Sequence, residues 1–232
     1  MPRFSLRSAA LLCLCALPLG PAFADKIYFS DHNGKLGYLD TDAREVSVVG
    51  DMPDVMTDLA FSSTGQLYGV SFSKLYSIDA ATGAATLIGD HGVPGANALI
   101  AGPQDILISA SFNRTGVYAI DPANASSQEL GDIGTRSGGD LVVVPSGLLL
   151  ANNAAEIYHI DTDDKGATKL FSTGLTNLYG LATTSQGQLV GAAGTKLYEI
   201  NTETGAPTEV LDLSAGFEQL WGLAVMPALA SN

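Results

Sequence analysis

The sequence predicts an all-β fold, a five-bladed β-propeller of four-stranded antiparallel blades closed by a split blade. Three observations predict it. Short strand-like runs alternate with turn residues, a self-similar unit recurs about every 40 residues, and the two ends of the chain carry complementary fractions of that unit.

The unit is clearest in residues 57–89, TDLAFSSTGQLYGVSFSKLYSIDAATGAATLIG. DLAF, QLYGV, KLYSID and ATLIG are rich in aliphatic, aromatic and β-branched residues, and STG, SFS and AATG between them are turn chemistry. None of the runs has the length or the 3.6-residue period of an amphipathic helix.

The third strand repeats most plainly: KLGYLD at 35–40, KLYSID at 74–79, GVYAID at 116–121, EIYHID at 156–161 and KLYEIN at 196–201. Tyr76, Tyr118, Tyr158 and Tyr198 share one register, with Gly37 there in the first copy. A tyrosine recurring once per unit is expected to fill the space between neighbouring blades. Asp40, Asp79, Asp121, Asp161 and Asn201 close the copies ahead of turns, where an Asx side chain bonds backbone two residues on. DTDDKG at 161–166 fails as a calcium loop, because Ser172 stands where a bidentate glutamate is needed.

First strands recur as TDLAF, ANALI, GDLVV, YGLAT and WGLAV, and second strands follow as QLYGV, DILIS, LLLAN and QLVGA. The chain opens after its leader on KIYFSD, a second strand, and ends near WGLAVMP, a first strand. Joining them completes a fifth blade and leaves no sheet edge open at the seam. The expected blades are 217–228 with 26–50, then 56–90, 95–132, 136–173 and 176–213, in one domain over 25–232.

Residues 1–24 read as a signal peptide. Arg3 and Arg7 precede an apolar stretch from Ala9 to Leu19, and Ala22-Phe23-Ala24 fits a small-x-small cleavage site. The apolar stretch is too short to span a membrane, and no later segment does better. Cys13 and Cys15 leave with the leader, so the mature chain is expected to have no disulfide and no thiol nucleophile. The expected address is periplasmic or secreted. Removal of Arg3 and Arg7 takes the formal charge from −13 to −15, which argues against nucleic acid as a partner.

The repeat, reading roughly "LAF…G.LYG…..LY.ID..TG..T.IG", resembles secreted bacterial β-propeller repeat proteins, in the style of NHL, YVTN and gluconolactonase-like blades. The resemblance covers essentially all of 26–228. It implies the architecture and a general role, and no activity, because propellers host binding, scaffolding and catalysis on one frame.

Propeller topology places the irregular fourth-to-first and second-to-third loops on one face. That face is expected to carry the ligand-binding candidates His32, His91, Phe112, Arg114, Arg136, Tyr179 and Trp221, with Phe72, Asn152 and Asn153 nearby. Asp58, Asn97, Asp140, Gly180 and Gly222 fall at equivalent positions at the mouth of the channel. Oxygens of Asp58, Asn97 and Asp140 could hold Ca²⁺ or Mg²⁺, or could instead bond neighbouring backbone amides. Gly180 and Gly222 would leave room beside Tyr179 and Trp221 for a sugar or a small amphipathic ligand. Catalytic motifs such as G-x-S-x-G, phosphate loops and zinc signatures are missing from the sequence. The functional expectation is therefore an exported, monomeric binding module for a small molecule, glycan or envelope protein. The alternative is a metal-dependent hydrolase or lactonase with a cation in the channel.

Overall fold

The computed structural model describes residues 25–151, 155–161 and 166–228. Residues 1–24, expected as a signal peptide, and Asn152 and Asn153 lie outside them. Five four-stranded antiparallel sheets form the blades of a propeller. In chain order, β1 (Lys26–Asp31), β2 (Lys35–Asp40) and β3 (Glu45–Asp51) belong to the split blade. The second blade is β4 (Asp58–Phe61), β5 (Leu67–Val70), β6 (Lys74–Ile78) and β7 (Ala85–Asp90). The third is β8 (Ala96–Ala101), β9 (Leu107–Ser111), β10 (Gly116–Ile120) and β11 (Ser127–Asp132). The fourth is β12 (Asp140–Val144), β13 (Gly147–Ala151), β14 (Glu156–Asp161) and β15 (Gly166–Ser172). The fifth is β16 (Leu178–Thr183), β17 (Leu189–Ala193), β18 (Lys196–Ile200) and β19 (Pro207–Asp212). Strand β20 (Leu220–Val225) returns to β1 and completes the first blade in the order β20-β1-β2-β3. The seam pairs Ile27 with Val225 and Phe29 with Leu223, as the complementary ends predicted.

Each sheet is apolar on both faces, so each face must meet a neighbouring blade. The result is five apolar clusters, one at each blade junction, in place of one central core. Tyr76, Tyr118, Tyr158 and Tyr198 each pack into one of them. At the fifth junction a Cβ on Gly37 would collide with the rings of Phe217 and Phe29. Phe217 therefore fills from a loop the volume that the repeated tyrosine fills elsewhere, and stacks edge-on against Phe29 with centroids 4.8 Å apart.

The outer edges are managed alike in every blade. Third and fourth strands slip by one residue at the same place: after Leu36, Leu75, Val117, Ile157 and Leu197. A bulge recurring in register twists each exposed edge away from flat pairing with another chain. The acids at the third-strand ends behave as expected, with Asp79 Oδ1 accepting from the amides of Ala81 and Thr82, and Asn201 Oδ1 from those of Glu203 and Thr204.

Candidate functional site at the channel mouth

The five inner strands β4, β8, β12, β16 and β20 surround the axis. Each places one leucine, Leu59, Leu99, Leu141, Leu181 or Leu223, at the same level. Inner strands of adjacent blades do not pair with one another, so the amides of these leucines need another acceptor. Asp58 and Asp140 supply it. Asp58 Oδ1 accepts from Leu59 N at 2.8 Å and Oδ2 from Leu99 N, in the next blade, at 2.5 Å. Asp140 repeats the pattern, with Leu141 N at 2.6 Å and Leu181 N at 2.5 Å, and Leu223 N also bonds to it. Two carboxyl groups thus serve one amide from every blade.

Both carboxyl groups are fully buried and hydrogen-bond to each other. Burial, the negative charge of Asp140 and the hydrogen bond to it raise the pKa of Asp58 well above the usual carboxylate range. Burial also raises that of Asp140, against the opposing pull of the hydrogen bond from Asp58 and of the three leucine amides. The two carboxyl groups therefore titrate as one pair, shifted towards the protonated form, with a hydrogen bond between them. It divides the channel into two blind ends. Residues of the inner strands from Leu59 to Phe61 and their counterparts line the far end, a space of about 200 Å³.

The near end is a cup of about 190 Å³. Thr57, Asn97, Gly138 and Gly139 form its floor, and Phe72, Phe112, Tyr179 and Trp221 form its wall. The wall has two sources. Phe72 and Phe112 come from the second-to-third loops of neighbouring blades, where the smaller Thr57 and Ala96 stand at the start of the inner strand. Tyr179 and Trp221 come from the inner strands themselves. Ring centroids of Phe72 and Phe112 are 5.2 Å apart, those of Phe72 and Trp221 5.6 Å, and those of Tyr179 and Trp221 6.1 Å. Adjacent planes meet at 56° to 66°, so the rings form a curved wall instead of a stack. The exposed His32 ring lies 5.9 Å from that of Trp221, on the rim.

Two buried polar atoms have no partner among the described residues: Asn97 Oδ1 and Trp221 Nε1. Both residues line this cup. The Asn97 amide nitrogen does have one, donating to Ser137 O at 3.2 Å. The hydroxyl of Thr57 is committed to the carbonyls of Val70 and Ala96.

Of the sequence candidates, His32, Phe112, Tyr179 and Trp221 converge here. Asn97, expected as a metal ligand, joins them on the floor. Arg114 and Arg136 are exposed and are not part of the lining. His91 is not on the surface. It is 1 % exposed; its Nε2 bonds Ser71 O and its Nδ1 accepts from Val93 N. Burial lowers its pKa, and it works as a neutral staple in the 91–95 loop. The glycines do not leave room for a ligand. A Cβ on Gly222 would strike Asp58, and one on Gly180 would strike Leu223 and the Trp221 carbonyl. A cation on Asp58 and Asp140 would have to displace the leucine amides that now occupy their oxygens. Among the described residues no cluster of three or more His, Cys, Asp or Glu side chains is disposed to hold a metal ion. Phe72 belongs to the wall although its sequence context marked it only as a face residue.

No family model matches the chain, and no curated protein matches it. Solved structures do. A chain of a nidogen/laminin complex is similar with a TM-score of 0.63 and 15% identity, over 89% of this chain and 100% of that one. A chain described in connection with the de novo evolutionary emergence of a symmetrical protein matches with a TM-score of 0.52 and 19% identity, over 85% and 93%. A protein of unknown function from Bacteroides caccae matches with a TM-score of 0.51 and 10% identity, over 88% and 100%. At these identities the likeness is one of fold.

Proposed function

We propose that this protein is an exported binding module whose ligand site is the aromatic cup at the channel mouth. The observation that carries the reading is the coincidence of a four-ring wall with two orphaned buried polar atoms, Asn97 Oδ1 and Trp221 Nε1, in one concavity. Buried polar groups are almost always bonded, so a molecule supplying a donor and an acceptor would remove two unmet demands at once. The wall draws on separate blades held by rigid junctions, which presets its shape. Export is supported by the pattern of residues 1–24 and by the acidic, cysteine-free remainder. The similar propeller found in a complex with a protein partner makes the loop face a reasonable docking surface for a larger ligand that carries such a group.

Trp221 is the only tryptophan, so the site has its own reporter. Fluorescence titration against a panel of neutral sugars, aromatic amphiphiles and organic ions should give saturable binding for at least one class. Binding should be lost in Phe112→Ala with the fold retained. If no member of the panel perturbs Trp221 or raises the melting temperature, the cup is not a ligand site.

A further inference from the structure

We infer that the cup takes an organic cation, a quaternary or multiply methylated ammonium group of about choline size bearing a hydroxyl or similar polar arm. This rests on the reading of the cup as a ligand site and adds the chemical class.

Four aromatic rings line the interior. Aromatic faces attract cations through the ring quadrupole, most strongly where water is excluded, and rings tilted around a void rather than stacked are the arrangement that encloses an alkylated ammonium. Phe72, Phe112, Tyr179 and Trp221 have that tilt. The remaining unpartnered floor atom, Asn97 Oδ1, is an acceptor. Among the described residues no lysine or arginine lines the space. Thr57 and Gly139 on the floor are followed directly by Asp58 and Asp140, so the carboxyl groups of the acid pair lie just behind it.

The competing classes fit less well. An anion would meet the acid pair and find no lysine or arginine among the described lining residues. A sugar ring needs many hydrogen-bonding partners, and the floor has one free acceptor, since the Thr57 hydroxyl is already committed. A hydroxyl on the cation can meet either remaining demand, by donating to Asn97 Oδ1 or by accepting from Trp221 Nε1. The acidic balance of the whole chain would draw cations toward the site.

The test compares choline chloride with its uncharged isostere 3,3-dimethylbutan-1-ol, on the intact protein, by Trp221 fluorescence at ionic strength matched with potassium chloride. Choline should bind saturably and at least about tenfold more tightly than the isostere. Phe112→Leu and the more exposed Phe72→Leu, each checked for an unchanged circular dichroism spectrum, should weaken choline by roughly five- to thirtyfold and the isostere much less. Equal or tighter binding of the isostere overturns the cation assignment and leaves the cup as an apolar ligand site. Binding of a neutral sugar or aromatic amphiphile without choline does the same. Failure of every probe overturns both this inference and the function it rests on.

Discussion

Replacing Asp140 by alanine tests the account of the channel directly. The substitution strands the amides of Leu141 and Leu181, now bonded at 2.6 and 2.5 Å, together with that of Leu223, and it leaves Asp58 without its carboxyl partner. A buried donor left unsatisfied costs about 1–3 kcal/mol. Three of them sum to roughly 3–9 kcal/mol, and a water entering the vacated space would recover part of that, as would relief of the buried charge. A net loss of about 3–6 kcal/mol is expected, a large share of the roughly 5–15 kcal/mol that a domain has. The corresponding fall in melting temperature is on the order of 6–24 °C. Urea unfolding followed by circular dichroism and by Trp221 fluorescence measures it, with both probes required to coincide. A loss below about 1 kcal/mol would refute the reasoning, because it would mean that the axis is wet and that water can replace the carboxyl group without cost.

Other expectations follow from the same geometry. The raised pKa of Asp58 means that the native state keeps a proton that the unfolded chain releases. Stability from this pair is full below the ordinary carboxylate pKa and is lost as pH rises from there through the native value, so above the ordinary carboxylate range Asp58→Asn should show a shallower decline than the wild type. His91 acts in the opposite sense. Its lowered pKa removes stability as pH falls below about 6.5, and denaturation midpoints of His91→Gln should be flatter between pH 6.5 and 5. Gly222→Ala places a methyl group against Asp58 and Leu59 and should cost about 1–3 kcal/mol in urea unfolding, whereas alanine at Gly166, where no atom lies within 4 Å, should be close to neutral. Millimolar calcium should leave the melting temperature within about 1 °C of its metal-free value if the leucine amides keep the carboxylate oxygens.

The architecture was legible because a propeller writes its rule five times. Strand order, blade limits and the closure of β20 on β1 could be read from the repeated KLYSID-type and DLAF-type segments. So could the packing role of Tyr76, Tyr118, Tyr158 and Tyr198. The site was legible in part. Tyr179 and Trp221 are marked by standing one residue before Gly180 and Gly222 at the channel mouth, and Phe112 by falling in a loop of the same face. What could not be read was the diameter of the channel. With five blades it is narrow enough for Asp58 and Asp140 to hydrogen-bond to each other while accepting from the inner-strand leucine amides, and for Gly222 to pack against Asp58. Nor could loop position alone show which way His91 turns, because that depends on whether the carbonyl of Ser71 and the amide of Val93 are there to receive its ring.

The strand that closes the seam has a consequence in time. The hydroxyl of Ser30 accepts from the amide of Gly222 across a separation of 192 residues. A contact so distant along the chain comes at a high entropic cost of loop closure and forms late. Until β20 arrives, the first blade lacks its inner strand and the circle is an arc with two raw edges. During synthesis the molecule therefore stays unlocked until β20 has emerged, and the aromatic cup, which borrows Trp221 from that strand, cannot exist before the ring does.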